Sequence, residues 1–469
     1  MKQDKLLYTI LKTPISHYIY DANINKIEPI SLELYNYFSS SPNLQDMEVI
    51  PEVSRLQKKG LLLPCELEDV EETLSDDMID YYLNNKLKML SLQLTQQCNF
   101  RCSYCMFTKS IDNRPHTNQK MTIETAFSAI EFFSKRVSDS KSVNIGFYGG
   151  EPLLEYETLK ECISYAKKEL KGKSLTFSLT TNASLLSESI MEYLVANNVH
   201  VLVSLDGPKE IHDYNRKNFY DGAGTFDVVF SNLKRLLSND IFKHNISINA
   251  VINPSYSFEE YNAFFNSPDF RGVTIYSPIV SLPREQPPLI SKQFAASLEI
   301  SKYSQMCQLL ERPLKTEFSI YSQYKDGLMN VYDVLKTKTH LPKKRNHSGP
   351  CMPGIKRLFV NVNGMFLPCE KVSESNPNNY IGSIKTGFDV HSVRKIMNST
   401  QCIKDNCKKC WAIRFCDVCA KIANSNDDES IAILNKHCSL LRNSARNNIL
   451  DVIALEEVRN YEKSSSVSL

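Results

Sequence analysis

The strongest constraint on the fold is an alternation running from about residue 89 to about residue 340. Strand-like runs at "LKMLSLQL", "VNIGFYG", "LTFSLTTN", "VHVLVSLDG", "ISINAVIN" and "GVTIYSP" are mostly separated by stretches of helical period. Leu90, Leu92 and Leu94 share one face of the first strand. Over residues 121–137, Ile123, Ala126, Phe127, Ile130, Phe133 and Val137 fall on one helical stripe. A repeated strand–helix unit predicts an α/β fold with a parallel sheet or barrel. Chemistry in such folds gathers at the C-terminal ends of the strands.

Directly after the first strand comes "CNFRCSYC", with Cys98, Cys102 and Cys105 separated by three and two residues. Three thiols at this spacing do not close a tetrahedral zinc site, which wants a fourth ligand. His116 would be an eccentric fourth. A [4Fe–4S] cube takes four thiolates as a pure electron carrier; with three, one iron is open to a small molecule. The chain has 14 cysteines, and no export signal is legible at "MKQDKLLYTILKTP". Clustered cysteines in that setting point to metal or redox chemistry in the cytoplasm rather than a disulfide framework. Cys65, Cys162 and Cys307 stand apart and read as small core hydrophobes.

Eight further cysteines fall between 351 and 438. Cys351 precedes Gly364 and Cys369; then come Cys402, Cys407, Cys410, Cys416, Cys419 and Cys438. Pairs separated by two residues suit zinc as well as iron–sulfur ligation. "RLFVNVNGMFLPC" reads as a hairpin turning at Asn363-Gly364. Ahead of the alternating region, residues 1–88 read as a small winged-helix-like unit. Strands flank Pro14, a helix starts at Ser31, a second spans 47–60 to end at Gly60, and "LLLP" is a short strand. The acidic stretch from Cys65 reads as a linker or bridging helix, and "YEKSSSVSL" as a disordered tail. Net charge is +2, from 55 basic and 53 acidic residues, so no basic excess advertises a nucleic-acid partner. No run of about 18 apolar residues calls for a membrane span.

The "CNFRCSYC" stretch resembles the signature of radical S-adenosylmethionine (SAM) enzymes, including the aromatic Tyr104 before the last cysteine. The resemblance continues with "FYGGEP", "TTN" and "SLDGP" followed by His212 and Arg216. It implies a partial (β/α)6 barrel over 89–340 with a [4Fe–4S] cluster on Cys98, Cys102 and Cys105 and SAM at the open iron. Tyr104, Gly149, Gly150, Glu151, Asn182, Ser204 and Arg216 are the implied SAM contacts. The later cysteines resemble the SPASM extension of peptide-modifying members, which implies a domain over 345–442 with two auxiliary [4Fe–4S] clusters. Cys407, Cys410, Cys416 and Cys438 would close one; Cys351, Cys369 and Cys419 would hold the other. Its fourth ligand is open, with Cys402 as one option. The final gap of two residues departs from the family's three. Residues 443–469 are expected to add a helix and tail.

The N-terminal unit resembles the peptide-recognition domain fused to many maturases of ribosomally made peptides, where a leader adds as a strand. The implied partners are a precursor peptide and a reductant such as flavodoxin or ferredoxin. The implied reaction starts with hydrogen abstraction by a 5′-deoxyadenosyl radical, and its leading product is a cysteine thioether. Other chemistry on the same scaffold includes carbon–carbon crosslinking, epimerisation, decarboxylation and sulfatase formylglycine formation. A zinc-dependent binding protein and a nucleic-acid-modifying enzyme are rivals of different class, and DNA reading by the N-terminal unit has only Lys58 and Lys59 to offer. No proton-transfer residue is identified.

Overall fold

Pro14 and Asn25 turn the first strands of the chain. In the computed structural model, which describes residues 6–40, 50–108, 113–278, 290–312, 322–347, 351–422 and 428–466, β1 (Tyr8–Lys12), β2 (His17–Asp21) and β3 (Lys26–Ile30) form an antiparallel sheet in that order. The run expected as one strand from Ser16 to Ile30 is thus a hairpin. The reason is local: Asn25 takes a left-handed conformation, φ 56°, which asparagine tolerates best after glycine. The Asp21 carboxylate holds the turn by accepting the Asn23 N–H at 2.8 Å. Helices Leu32–Ser39 and Pro51–Lys58 follow, the first capped by Ser31. Their apolar faces pack Leu34, Phe38, Val53 and Leu56 against Ile19 and Ile30. Residues 47–49 of the expected second helix lie outside the described residues. The "LLLP" segment is not a strand: Leu62 turns left-handed, and its N–H is spent on Asp21 at 2.7 Å.

The chain divides into two compact units. The first gathers residues 1–74, 324–351 and 394–469. In it, Asp69–Val70 pairs in parallel with Lys344–Arg345, and the Thr13 and Tyr18 hydroxyls donate to Glu457 at 2.8 and 2.7 Å. Glu457 belongs to one helix, Asp428–Ser466, which crosses the expected boundary at 442/443 and continues into the stretch expected to be a disordered tail. No glycine or proline interrupts 428–466, so nothing stops the helix there.

The second unit comprises residues 75–323 and 352–393. Its sheet carries the expected parallel strands: β4 (Met89–Thr95), β5 (Ser142–Gly149), β6 (Ser174–Thr181), β7 (Val199–Ser204), β8 (Ile246–Asn249) and β9 (Thr274–Tyr276). They lie side by side in chain order. Same-handed crossovers between sequential neighbours curl such a sheet into part of a barrel. The helix expected over 121–137 is Ile123–Ser134, capped by Thr122; a Thr cap of this kind contributes about 1 kcal/mol. Beyond β4 the sheet continues through Leu358–Val360, which turns back at Gly364 into Met365–Leu367. That is the expected hairpin.

β4 is buried on both faces, as a central parallel strand must be. Its polar Gln93 is fully buried and therefore needs partners. Gln93 donates to Glu374 at 2.6 Å and accepts the Val362 N–H at 3.2 Å, while Arg114 pairs with the same Glu374 at 2.9 Å.

Candidate active site

The cysteine loop leaves β4 at its C-terminal end, as the barrel reading requires. Residues Phe100–Cys102 then pair antiparallel with Arg216–Asn218, Cys102 opposite Arg216. The Cys105 N–H donates to the Cys102 carbonyl at 3.1 Å, and the turn brings the three thiols within electrostatic reach of one another. Burial, reinforced by the Glu151 carboxylate, pushes the Cys98 thiol up to about 12. Burial also pushes Cys102 up to about 12, against the pull of Arg216. Both thiols hold their protons at neutral pH, so a metal that binds them must displace those protons. His116 Nε2 stands 3.9 Å from Cys105 Sγ. Its Nδ1 faces the Gln96 carbonyl at 3.2 Å. A carbonyl only accepts, so Nδ1 carries the proton and the Nε2 lone pair faces the thiol.

Gly149 and Gly150 let two backbones close on each other. A Cβ at Gly149 would lie 2.3 Å from the Thr95 carbonyl oxygen, and one at Gly150 2.0 Å from that of Gln97. Their absence allows the Gly150 N–H to reach Thr95 at 2.8 Å and the Glu151 N–H to reach Gln97 at 2.9 Å. The glycines expected beside SAM therefore also seat the strand–loop segment that carries Cys98. Glu151 is 1% exposed. Its carboxylate accepts from the Thr181 hydroxyl at 2.7 Å, the Asn182 N–H at 2.7 Å and the Leu153 N–H at 3.1 Å. Burial raises its pKa while these donors oppose the shift. The Asn182 amide donates to Asn99 at 2.9 Å, beside Cys98. Ser204 ends β7, in register with Asn249.

Sequence reasoning missed Asp206, which lies in "SLDGP" and is 0% exposed. Its Oδ2 accepts from the Tyr104 hydroxyl at 2.7 Å and from Arg216 Nε at 2.9 Å. Its Oδ1 accepts from Arg216 Nη2 at 3.0 Å and the Val251 N–H at 3.1 Å. The remaining Arg216 nitrogen, Nη1, points at Cys102 Sγ, 3.8 Å away. Arg216 lies ten residues beyond Asp206, but Tyr104 and Val251 lie 102 and 45 residues away and meet the carboxylate only in the folded chain. Tyr148, Arg357 and Glu370 were also missed. Arg357 and Glu370 form an ion pair, and burial, helped by the Glu370 carboxylate, pushes the Tyr148 hydroxyl well above its ordinary value.

The first unit brings four of the expected ligands together. Cys407, Cys410, Cys416 and Cys438 line one cavity of 380 Å³, with Trp411 and Arg442. Cys402 packs with Cys407, Cys416 and Cys438 against Ile403, Val418 and Leu434. Cys351 and Cys419 belong to this unit and Cys369 to the other. Cys65 and Cys162 are buried as expected, while Cys307 is half-buried.

The donors at the barrel mouth are of the chemistry that an iron–sulfur group with an open position takes, three thiols within electrostatic reach and a cationic N–H on one sulfur; among the described residues no three such side chains close on a single metal ion. Residues 92–266 match the family model of the radical SAM superfamily. Radical SAM cyclopropyl synthase TigE of Paramaledivibacter caminithermalis is 28% identical over 253 residues, 51% of this chain and 51% of that protein. The chain thus spans about half the length of that relative. A cysteine-type anaerobic sulfatase-maturating enzyme of Clostridium perfringens is 26% identical over 368 residues, 75% of this chain and 93% of that protein. The solved structure of anSMEcpe with bound AdoMet and Cp18Cys peptide matches with a TM-score of 0.54 at 22% identity, covering 77% of this chain and 99% of that one. That likeness establishes a shared α/β fold. Among the described residues no helix is long and apolar enough to cross a membrane.

Proposed function

We propose, on the premise that residues 92–266 are a domain of the radical SAM superfamily, that this chain modifies a cysteine-containing peptide and that its leading product is an intrapeptide thioether. The observation that carries the reading is the convergence of Cys407, Cys410, Cys416 and Cys438 on one cavity, in a chain that already has a three-cysteine site at the sheet's C-terminal edge. A second redox centre suits a reaction in which forming a carbon–sulfur bond leaves one electron over.

Cys98, Cys102 and Cys105 would hold the site cluster, and Tyr104, Gly149, Gly150, Glu151, Asn182, Ser204 and Arg216 border the place of SAM. Bound there, cluster and SAM would supply the 5′-deoxyadenosyl radical chemistry that removes a carbon-bound hydrogen. The protein's part is to seat the cysteine loop, through Gly149 and Gly150, and to keep the neighbouring carboxylates paired. Cys407, Cys410, Cys416 and Cys438 would hold one auxiliary cluster. For Cys351, Cys369 and Cys419 a further cluster rests on the sequence pattern alone. The β1–β3 sheet, with β1 and β3 as edges paired on one side, would dock the precursor's leader as an added strand, where backbone hydrogen bonds give affinity. A flavodoxin- or ferredoxin-type protein would supply the electron.

A second reading, formylglycine formation on a cysteine, is supported by the match to the sulfatase-maturating enzyme over 93% of that protein's length. That match leaves a quarter of this chain uncovered. Anaerobic co-expression with a small cysteine-containing candidate precursor peptide, followed by mass spectrometry after thiol alkylation, separates the two. A thioether removes two hydrogens and one alkylatable thiol per crosslink, with sulfur retained. Formylglycine formation from cysteine removes the sulfur itself. An unchanged peptide, or loss of carbon dioxide, would overturn the thioether reading.

A further inference from the structure

The Asp206 carboxylate collects four hydrogen bonds in a site closed to solvent, two from Arg216, one from Tyr104 and one from the Val251 backbone. A bidentate arginine–carboxylate pair fixes the plane of the guanidinium as well as its position. Here that plane leaves one nitrogen free of Asp206, and it is the one 3.8 Å from Cys102 Sγ. Backbone pairing of Arg216 with Cys102 fixes the same approach from a second side. Neither charge can be removed without leaving the other buried and uncompensated.

We propose that Asp206 is a positioning residue that aims the Arg216 guanidinium at the Cys102 sulfur, and that the pair sets the reduction potential of the iron–sulfur group on Cys98, Cys102 and Cys105. The proposal rests on the reading of those three cysteines as a redox-cluster site. Cluster potentials respond to hydrogen bonds on the sulfurs and to nearby net charge. A cationic N–H on a ligand sulfur favours the reduced, more negative cluster. The Asp206 anion opposes that effect while it holds the cation in place.

The charge of Asp206 and its aiming of Arg216 predict separable shifts. In anaerobically reconstituted full-length protein, potentiometric titration is followed through the electron paramagnetic resonance signal that SAM perturbs. Arg216→Gln should move the midpoint to more negative potential. Asp206→Asn loses both the anion, which raises the midpoint, and the aim, which lowers it, so its shift should be more positive in the Arg216→Gln background, where no aim is left to lose. Arg216→Lys keeps the cation but has one nitrogen, which on Asp206 leaves none for Cys102, and should also shift negative. A purely structural role would lower iron loading without moving the midpoint, and equal Asp206→Asn shifts in the two backgrounds would reduce Asp206 to a point charge. Either result, or an unchanged midpoint in Arg216→Lys, overturns the proposal. If Asp206→Asn fails to fold, the two arginine variants still decide. Failure of the underlying reading looks different: the parent would then bind no more iron than a Cys98→Ala, Cys102→Ala, Cys105→Ala variant.

Discussion

Gly150 shows how much of this site depends on a missing side chain. Its Cβ would lie 2.0 Å from the Gln97 carbonyl oxygen and 3.0 Å from the Cys98 nitrogen, and both contacts are with backbone, which cannot swing aside. Gly150→Ala should therefore push the cysteine loop away from β5. Overpacking of this kind costs typically 1–3 kcal/mol, and rigid backbone on both sides puts the cost at the upper end. The variant should melt at lower temperature and take up less iron on reconstitution, with the iron deficit persisting at temperatures where circular dichroism still reports a folded chain. Full iron loading at a lowered melting point would mean that the glycine serves the sheet alone. Glu151 makes a related point, because its type and position were legible in "FYGGEP" while its partners were not. Thr181 and Asn182 lie thirty residues further on, and only the parallel pairing of β5 with β6 brings them under its carboxylate.

The segment after β7 acts as a strut across the mouth of the sheet, with His212 at its centre. The Asp206 N–H points at His212 Nδ1 at 3.4 Å, and Nε2 meets the Thr225 hydroxyl at 3.0 Å. Thr225 in turn donates to the Arg216 carbonyl at 3.0 Å, so Nε2 carries the single proton and Nδ1 has none. Burial, helped by Arg216, lowers the His212 pKa to about 4. Folded protein thus binds fewer protons here than unfolded protein between the ordinary histidine value of about 6.5 and 4. Stability from this group is complete above about 6.5 and is lost as pH falls towards 4, by at most about 3 kcal/mol. Thermal melts from pH 7.5 to 4.5 should show that slope, and His212→Gln should flatten it; an equal slope in the variant would assign it elsewhere. Elements with a strong period, such as β4 and the Ile123–Ser134 helix, were legible because local apolar spacing reports burial directly. The hairpin at Asn25 was not, since its turn depends on side-chain oxygens rather than on glycine. The end of the last helix was missed because its serines resemble a tail in composition. The grouping of the cysteines was legible because thiols recur at short spacing, whereas Asp206 was not, because Tyr104 and Val251 reach it only through the folded sheet.

At the scale of the molecule, the two groups of cysteines that the structure assembles lie in different compact units. Cys407, Cys410, Cys416 and Cys438 line a cavity wholly within the first unit, whereas Cys98, Cys102 and Cys105 belong to the second. The parallel sheet has its own core of Leu90, Leu92, Ile145, Phe147, Val201 and Val203, all at most 1% exposed. Chemistry should divide along the same line. Cys407→Ala with Cys410→Ala should remove about four irons per chain, the content of one cube, and leave SAM-perturbed resonance at the other site. Reductive cleavage of SAM to 5′-deoxyadenosine, measured without peptide, should stay within about twofold of the parent, because surface and remote changes rarely couple across separate cores. On the thioether reading, peptide product should vanish, since the electron left by bond formation would have no acceptor. In the converse variant, with Cys98, Cys102 and Cys105 changed to alanine, cleavage should be abolished while the iron of the first unit remains. Loss of SAM cleavage in step with iron in the Cys407 and Cys410 variant would show that the two sites are not separable. The first unit would then have to be assigned a part in building the barrel's site rather than in finishing its reaction.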